Sequence, residues 1–365
     1  MKTLRVKAPQ HSYDILIGDS ILPGIGSYVK KLSLGHCAFI ITSATVADLY
    51  LHPLIKSLKK AGLKDIGVYR MPDGERYKNA AQWSKASLAL ARFDDSRNRK
   101  LFIINLGGGV VGDLGGFVAS SYHRGTRYVQ IPTTLLACVD SGVGGKVAIN
   151  HGNFKNCLGA FWHPSLVAAD MSVLTTLSDR QFKSGMAEVV KYGASLDRGL
   201  LNFMEQNIDA VRSREPDVLA HICAICYRLK AGIVERDPND TKNIRIVLNY
   251  GHTIGHAVES ASKYAYTHGE SIAIGMACAN DIACALGILP TAVRLRVESI
   301  LTTFKLPTRI KNCRLDDILG AMRNDKKFVH GKNRFVLLTS IGSTRVVESV
   351  PDAIIRTAIK QRMVT

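Results

Sequence analysis

Leu101-Phe102-Ile103-Ile104-Asn105-Leu106 runs directly into Gly107-Gly108-Gly109-Val110-Val111-Gly112-Asp113. The first six residues form the most apolar strand candidate of the chain. The glycines that follow open a helical pattern that continues to Ser121. A buried strand, a glycine turn and a helix make the first half of a βαβ unit. Glycines let a backbone come close to a pyrophosphate, and a helix N-terminus favours its negative charge. The spacing is not Gly-x-Gly-x-x-Gly, so the usual dinucleotide fingerprint is absent and a plain strand–helix turn is an equal reading.

Outward from this unit the same rhythm repeats. Strand candidates Cys37–Ile41, Ile66–Tyr69 and Tyr128–Ile131 alternate with helical patterns over Val46–Ala61, Asn79–Phe93 and Val110–Ser121. The start reads as two short alternating strands, Thr3–Lys7 and Tyr13–Ile17. This alternation predicts an α/β N-terminal domain with a doubly wound, mostly parallel sheet. From about Leu177 the periods lengthen to helices over Asp179–Tyr192, Pro216–Val234, Gly251–Ser262 and Glu270–Leu286, with a short β stretch near Arg334–Leu338. A mainly α-helical C-terminal domain is therefore expected, with the domains spanning 1–176 and 177–365.

Composition narrows the function classes. The 365 residues favour two domains, and 46% hydrophobic content is too high for a disordered chain. The start carries no apolar run with a cleavage site, and the longest membrane candidate, Ile272–Leu289, is broken by Asn280 and Asp281. A cytoplasmic protein is expected. Eight cysteines without pairing rhythm fit a reducing compartment. Cys223 and Cys226 fall inside a helical pattern and read as small buried residues. Lys plus Arg exceed Asp plus Glu by 48 to 30, a net charge of +18 that suits an anionic partner. The basic residues are spread along the chain, and no aromatic-bearing nucleic-acid motif accompanies them. A small anionic ligand is the better match, with neither nucleic acid nor membrane as partner.

Further polar loops accompany the glycine turn. Asp73-Gly74-Glu75-Arg76-Tyr77-Lys78 follows the preceding strand, at the carboxyl edge where α/β sheets bind ligands. Pro132-Thr133-Thr134 and Asp140-Ser141-Gly142-Val143-Gly144-Gly145-Lys146 bring hydroxyls, a carboxylate and a lysine onto a second glycine-rich stretch, and Lys155-Asn156 adds another cation. No Lys-Ser/Thr pair of a Walker motif is present. In the helical half, His252-Thr253-Ile254-Gly255-His256 sets two imidazoles at i and i+4 on one helix face. That spacing can hold a metal or belong to two ordinary helix histidines, and it does not choose between them. His268-Gly269-Glu270 and Glu188, which shares a helix face with Lys191, offer further ligands.

Gly107–Asp113, Pro132–Lys146, Ser184–Gly193, Leu248–Glu259 and His268–Met276 stand in the order and approximate spacing of one family. From about Asp73 to Ile341 the chain resembles the 3-dehydroquinate synthases of the sugar phosphate cyclase superfamily, and Asn324-Asp325-Lys326-Lys327 followed by Arg334–Leu338 is similar too. The resemblance implies conversion of 3-deoxy-D-arabino-heptulosonate 7-phosphate to 3-dehydroquinate and phosphate, toward chorismate, with catalytic NAD and Zn2+ or Co2+. It implies metal ligation by Glu188, His252 and His268. NAD would meet Asp73, Gly74, Glu75, Lys78, Gly108, Gly109, Val110, Gly112, Asp113, Thr133, Thr134, Lys146, Lys155, Thr175 and Thr176. The substrate would meet Arg124, Asp140, Lys146, Lys155, Asn156, Lys191, Lys230, Arg245, Asn249, His256 and Lys326. Of these, Lys146, Lys191, Arg245, Asn249 and His256 would stand at the chemistry. A homodimer is expected.

Two departures from the family pattern stand out. Ile41-Thr42-Ser43-Ala44-Thr45 offers only hydroxyls where an acid or amide is common, and Asp237-Pro238-Asn239-Asp240 leaves one residue more than usual before Arg245. Among the family's relatives, makers of 2-deoxy-scyllo-inosose or 2-epi-5-epi-valiolone tend to replace the asparagine before Tyr250 or lose the second histidine. Asn249 and His256 both stand here, which favours a substrate with a carboxylate. A glycerol-type dehydrogenase using metal and NAD shares the architecture, but it would not need so many cations.

Overall fold

The computed structural model describes residues 1–94, 100–152, 154–323 and 333–364. The chain forms two compact units, residues 1–177 with 216–239 and residues 178–215 with 240–365.

The strands of the first unit are β1 (Lys2–Val6), β2 (Tyr13–Gly18), β3 (Cys37–Ser43), β4 (Asp65–Met71), β5 (Leu101–Gly107), β6 (Tyr128–Pro132), β7 (Lys146–His151), β8 (Phe154–Phe161) and β9 (Leu166–Asp170). Seven of them form one sheet in the order β1-β2-β9-β6-β5-β3-β4. Only the β1–β2 edge is antiparallel. Alternation along each strand supplies both faces. Ala38, Ile40, Phe102, Ile104 and Leu106 pack with Ile25, Leu54 and Leu58 from helices Ile25–Lys31 and His52–Lys60. Phe39, Ile41 and Ile103 point the other way, against Ala86 and Leu90 of helix Ala80–Asp94 and Leu114 and Val118 of helix Gly109–Ser121. The sheet is doubly wound, as its sequence rhythm predicts.

Three features differ from the sequence reading. β9, a stretch the sequence reading did not single out, enters the sheet between β2 and β6. β7 and β8, which carried no strand assignment in the sequence, pair as an antiparallel hairpin, with Val147 and Ile149 turned inward from β7. The largest correction concerns helix Pro216–Arg236, expected in the C-terminal domain. It belongs to the first unit, packing on β1, β2 and the turn Ala137–Ser141. Its stripe of Leu219, Ile222, Cys223, Cys226 and Tyr227 is fully buried. Periodicity shows that a helix has an apolar stripe but not which surface receives it.

The second unit is built on helices Asp179–Ser195, His252–Ala261, His268–Ala285, Thr291–Thr303, Leu315–Arg323 and Asp352–Arg362, with a hairpin of β10 (Arg334–Ser340) and β11 (Ser343–Glu348). His268–Ala285 is the central helix, with every residue from Ser271 to Asn280 buried. Small residues let its neighbours approach from all sides. Arg362 ties the last helix to it through Asp281 and to Glu298 of Thr291–Thr303. Among the described residues no helix is long and apolar enough to cross a membrane, and all eight cysteines are free thiols.

Candidate active site

Three helices of the second unit converge on Glu188. Ser178 caps the first of them by accepting from Gln181 N, and its buried face carries Glu188 and Lys191. Thr267 and Glu270 form a capping box at the start of His268–Ala285. Arg180 grips the Glu270 carboxylate with two nitrogens, at 3.2 and 2.9 Å, which pins that helix start to the Glu188 helix. Glycines set the spacing between backbones. A Cβ on Gly269 would lie 2.1 Å from Ser184 O, and one on Gly275 would lie 1.9 Å from Gly251 O. Gly251 itself has φ +78°, a conformation that favours glycine, immediately before His252.

The result is a tight cluster. His268 Nε2 lies 3.2 Å and His252 Nε2 3.6 Å from the same oxygen, Glu188 Oε1. Glu188 is fully buried, and its other oxygen pairs with Lys191 Nζ. One ligand atom from each of Glu188, His252 and His268 lies within 4.8 Å of the others. A tetrahedral zinc with bonds near 2.0–2.1 Å sets its ligands about 3.3 Å apart, so the donor set and its spacing suit such an ion. His252 Nδ1 donates to the Tyr250 carbonyl at 3.1 Å, which leaves Nε2 free to face Glu188. Burial disfavours charge on His268, but the hydrogen bond to Glu188 and the nearby Glu259 carboxylate outweigh it and push its pKa up to about 9. A second overlapping set, His256, Glu259 and His268, meets the same distance criterion. The His256 ring stands 5.1 Å from His252 and 5.9 Å from His268. Arg245 is buried at the start of the turn Arg245–Asn249, and Asn249 lies half-buried beside Thr253 and Phe335.

The first unit gathers a different set at the carboxyl ends of β4, β5 and β6. Gly108 and Gly109 start helix Gly109–Ser121, where a Cβ would lie 2.8 Å from the Thr134 methyl or 3.0 Å from Ser141 Oγ. The glycines thus keep the turn folded tightly onto Thr133-Thr134 and the Asp140 stretch. Gly74, at φ +113°, has open space on its Cβ side. Val110 and Gly112 lie in the first turn of the helix. Thr133 Oγ1 and Ser141 Oγ are buried without a hydrogen-bond partner. Orphaned hydroxyls, glycines and a helix N-terminus together suit a nucleotide phosphate.

Lys78 Nζ sits 2.9 Å from Asp113 and 3.1 Å from Glu75. Burial works against its charge, yet the two carboxylates hold its pKa above the usual lysine value. Asn150 of β7 donates to Glu75 at 2.9 Å and accepts from Asn156 N at 2.8 Å. This links the hairpin carrying Lys155 and Asn156 to the Asp73–Lys78 loop. Asp140 accepts from Lys230 at 2.6 Å, a contact made only because helix Pro216–Arg236 belongs to this unit. The hydroxyls that replace the family's acid or amide have a structural use. Asp73 accepts from Thr45 N at 3.1 Å and Thr45 Oγ1 at 2.9 Å. Burial raises the Asp73 pKa, but bonds from Ser43 and Thr45 outweigh it and the pKa falls.

Other expected residues lie at exposed positions. Lys146 begins β7 with its side chain exposed, and Thr175 and Thr176 are exposed on the turn Met171–Thr176. Arg124 is exposed and, with His123, adopts a left-handed backbone. Asp94 steadies that turn by accepting from Tyr122 Oη at 2.8 Å and facing His123 Nε2 at 3.1 Å. Lys326 lies outside the described residues. Sequence reasoning missed Asn150, Asp94 and Glu259. Only Glu259 left a signal, since it stands at i+3 from His256 on the same helix face.

Comparison with known proteins agrees over the whole chain. The family model described as 3-dehydroquinate synthase N-terminal matches residues 68–184, and that described as 3-dehydroquinate synthase C-terminal matches 185–328. The 3-dehydroquinate synthase of Desulforamulus reducens is 42% identical over 363 residues, covering 99% of this chain and 100% of that protein. A crystal structure of 2-deoxy-scyllo-inosose synthase with carbaglucose-6-phosphate, NAD+ and Co2+ is 26% identical, with a TM-score of 0.89 and coverage of 99% and 100%. The 2-epi-5-epi-valiolone synthase of Streptomyces hygroscopicus, with NAD+ and Zn2+, is also 26% identical, with a TM-score of 0.86 and coverage of 98% and 99%.

Proposed function

Because this chain belongs to the 3-dehydroquinate synthase family, we infer that it converts 3-deoxy-D-arabino-heptulosonate 7-phosphate to 3-dehydroquinate and phosphate. It is a phosphate-eliminating carbon–oxygen lyase that uses NAD and a divalent metal, Zn2+ or Co2+. The observation that carries the metal assignment is the convergence of Glu188, His252 and His268, with His256 beside them.

In this reading the second unit holds the metal through those three side chains, and the carboxyl edge of the first unit holds NAD through the Asp73–Lys78 loop and the Gly108–Asp113 turn. When bound, NAD supplies a reversible hydride acceptor and the metal a Lewis acid for the substrate's hydroxyls. The chain's own residues do the rest. Lys191 neutralises the Glu188 oxygen that faces away from the imidazoles. His256, half-buried and unneeded for ligation, moves protons at the substrate. Arg245 and Asn249 orient the ligand, and Arg124 with Lys146, Lys155 and Lys230 meet its phosphate and carboxylate. Asp140 holds Lys230 in place at 2.6 Å. A cytoplasmic homodimer with no nucleic-acid or membrane partner completes the proposal.

Phosphate release from the heptulosonate phosphate tests it. Release is expected to require both NAD and metal, to stop on chelation, and to proceed without accumulation of NADH. Full activity after exhaustive removal of both cofactors overturns the reading, and stoichiometric NADH points to a dehydrogenase instead. Glucose 6-phosphate, which lacks the carboxylate, should be used at least ~30-fold less efficiently, the factor expected when a charge-assisted contact is lost.

A further inference from the structure

We propose that Glu259 is a positioning residue for His268, the outer carboxylate that fixes which nitrogen of that imidazole faces the metal. This rests on the assignment of Glu188, His252 and His268 as ligands.

The two candidate imidazoles are arranged alike. His252 turns Nε2 toward Glu188 Oε1, and its Nδ1–H is held by the Tyr250 carbonyl at 3.1 Å. His268 turns Nε2 toward the same oxygen, and its Nδ1 faces Glu259 Oε2 at 4.0 Å. Each ring therefore has an acceptor behind it, a carbonyl in one case and a carboxylate in the other. A carboxylate behind a ligating histidine locks the ring's tautomer and orientation and makes the facing nitrogen more basic.

The burial of Glu259 supports this. Helix His252–Ala261 buries Ile254, Gly255, Ala257 and Val258, and Glu259 continues the buried face with its side chain only 8% exposed. A carboxylate at such a position is costly unless it is matched by a polar or cationic partner. An imidazole that receives positive charge from a metal on its far nitrogen provides one. The rival arrangement makes Glu259 itself a ligand, together with His256 and His268. A metal there would take His268 through Nδ1, so the two arrangements differ in the nitrogen used.

The test uses the full-length protein and zinc alone, with affinity read by competition against a chromogenic chelator. Glu259→Ala is expected to weaken zinc about 10- to 100-fold. Glu259→Gln, which keeps an acceptor oxygen opposite Nδ1–H, should lose less, and His256→Ala should bind zinc as the unaltered chain does. Nitrogen-15 spectra of the zinc-loaded Glu259→Gln protein should show His268 bound through Nε2, a readout that remains if the alanine variant fails to fold. Unchanged zinc affinity in Glu259→Ala overturns the proposal alone. Equal losses in Glu259→Ala and His256→Ala, or binding through Nδ1, make Glu259 a ligand and also overturn it. An unaltered chain that takes up no zinc sinks the metal assignment and the proposal together.

Discussion

Glu188, His252 and His268 ride on three helices whose backbones touch, whereas Glu75, Lys78, Asp113 and Asn150 come from a loop, the start of one helix and a strand end, joined by polar side chains. In the first region the distances between the proposed ligands are set by glycine contacts, with Gly275 against Gly251 and Gly269 against Ser184. In the second they are set by hydrogen bonds such as Lys78–Asp113 and Asn150–Glu75. Close-packed backbone cannot adjust without moving whole helices, so a single added methyl is felt in full. Polar links of this kind are each worth about 1–3 kcal/mol, and their loss is graded. A metal needs its ligands fixed within tenths of an ångström, and packing provides that. A flexible dinucleotide, proposed for the second region, can be held by many modest contacts of the kind loops offer.

The largest effects should come from the proposed ligands themselves. His252→Ala is expected to lower zinc affinity by more than the ~100-fold that marks the upper range for an outer partner. His256→Ala should keep its zinc and lose turnover. Elemental analysis of the folded variants checks this division, and equal zinc loss in the two would contradict it.

Next in size is the packing contrast. Gly275→Ala should cost about 1–3 kcal/mol of stability and reduce zinc content, because its Cβ has no room beside Gly251 O. Gly320→Ala is the control, since that helical glycine has nothing within 4 Å of an added Cβ. It should be neutral or stabilising by about 0.5–1 kcal/mol. Thermal melts of the two variants measure the difference directly.

A smaller effect is expected at the nucleotide edge. Asp73→Ala frees the Thr45 amide and hydroxyl and should weaken NAD by about 1 kcal/mol, roughly fivefold. Zinc content should not change. NAD titration by fluorescence beside metal analysis would show whether the two regions respond independently. Coupled losses would break the contrast drawn between them.

The smallest effect lies in acid, where the second unit also depends on ion pairs. Hydrogen bonding to Arg362 holds the Glu298 carboxyl below its ordinary value of 4.5. The unfolded chain then binds that proton more readily than the native one does. The stabilisation is therefore complete above the ordinary value and drains away as pH falls through the lowered one. Partial exposure keeps it modest. Urea midpoints between about pH 6 and pH 3.5 should fall for the unaltered chain, and less steeply for Glu298→Gln.

Local patterns carried much of this molecule. Leu101–Gly107 and the glycines after it form β5 and the turn into a helix, because an apolar run and the freedom of glycine are local properties. The placement of His252 and His256 on one face follows from helical period alone, and the family was legible from five motifs in order. Other features had no local cause. Whether helix Pro216–Arg236 joins the sheet or the helical unit depends on which surface receives its stripe, and that choice delivers Lys230 to Asp140. The insertion of β9 between β2 and β6 depends on strand partners far away in the chain. The i, i+4 pair could not say which histidine meets Glu188. That was decided by the approach of His268–Ala285, whose glycines let its backbone come close enough to place a third imidazole beside the other two. Periodicity reports which side of an element is apolar. Only packing decides what that side meets, because contact between distant segments depends on shape and volume that no single segment contains.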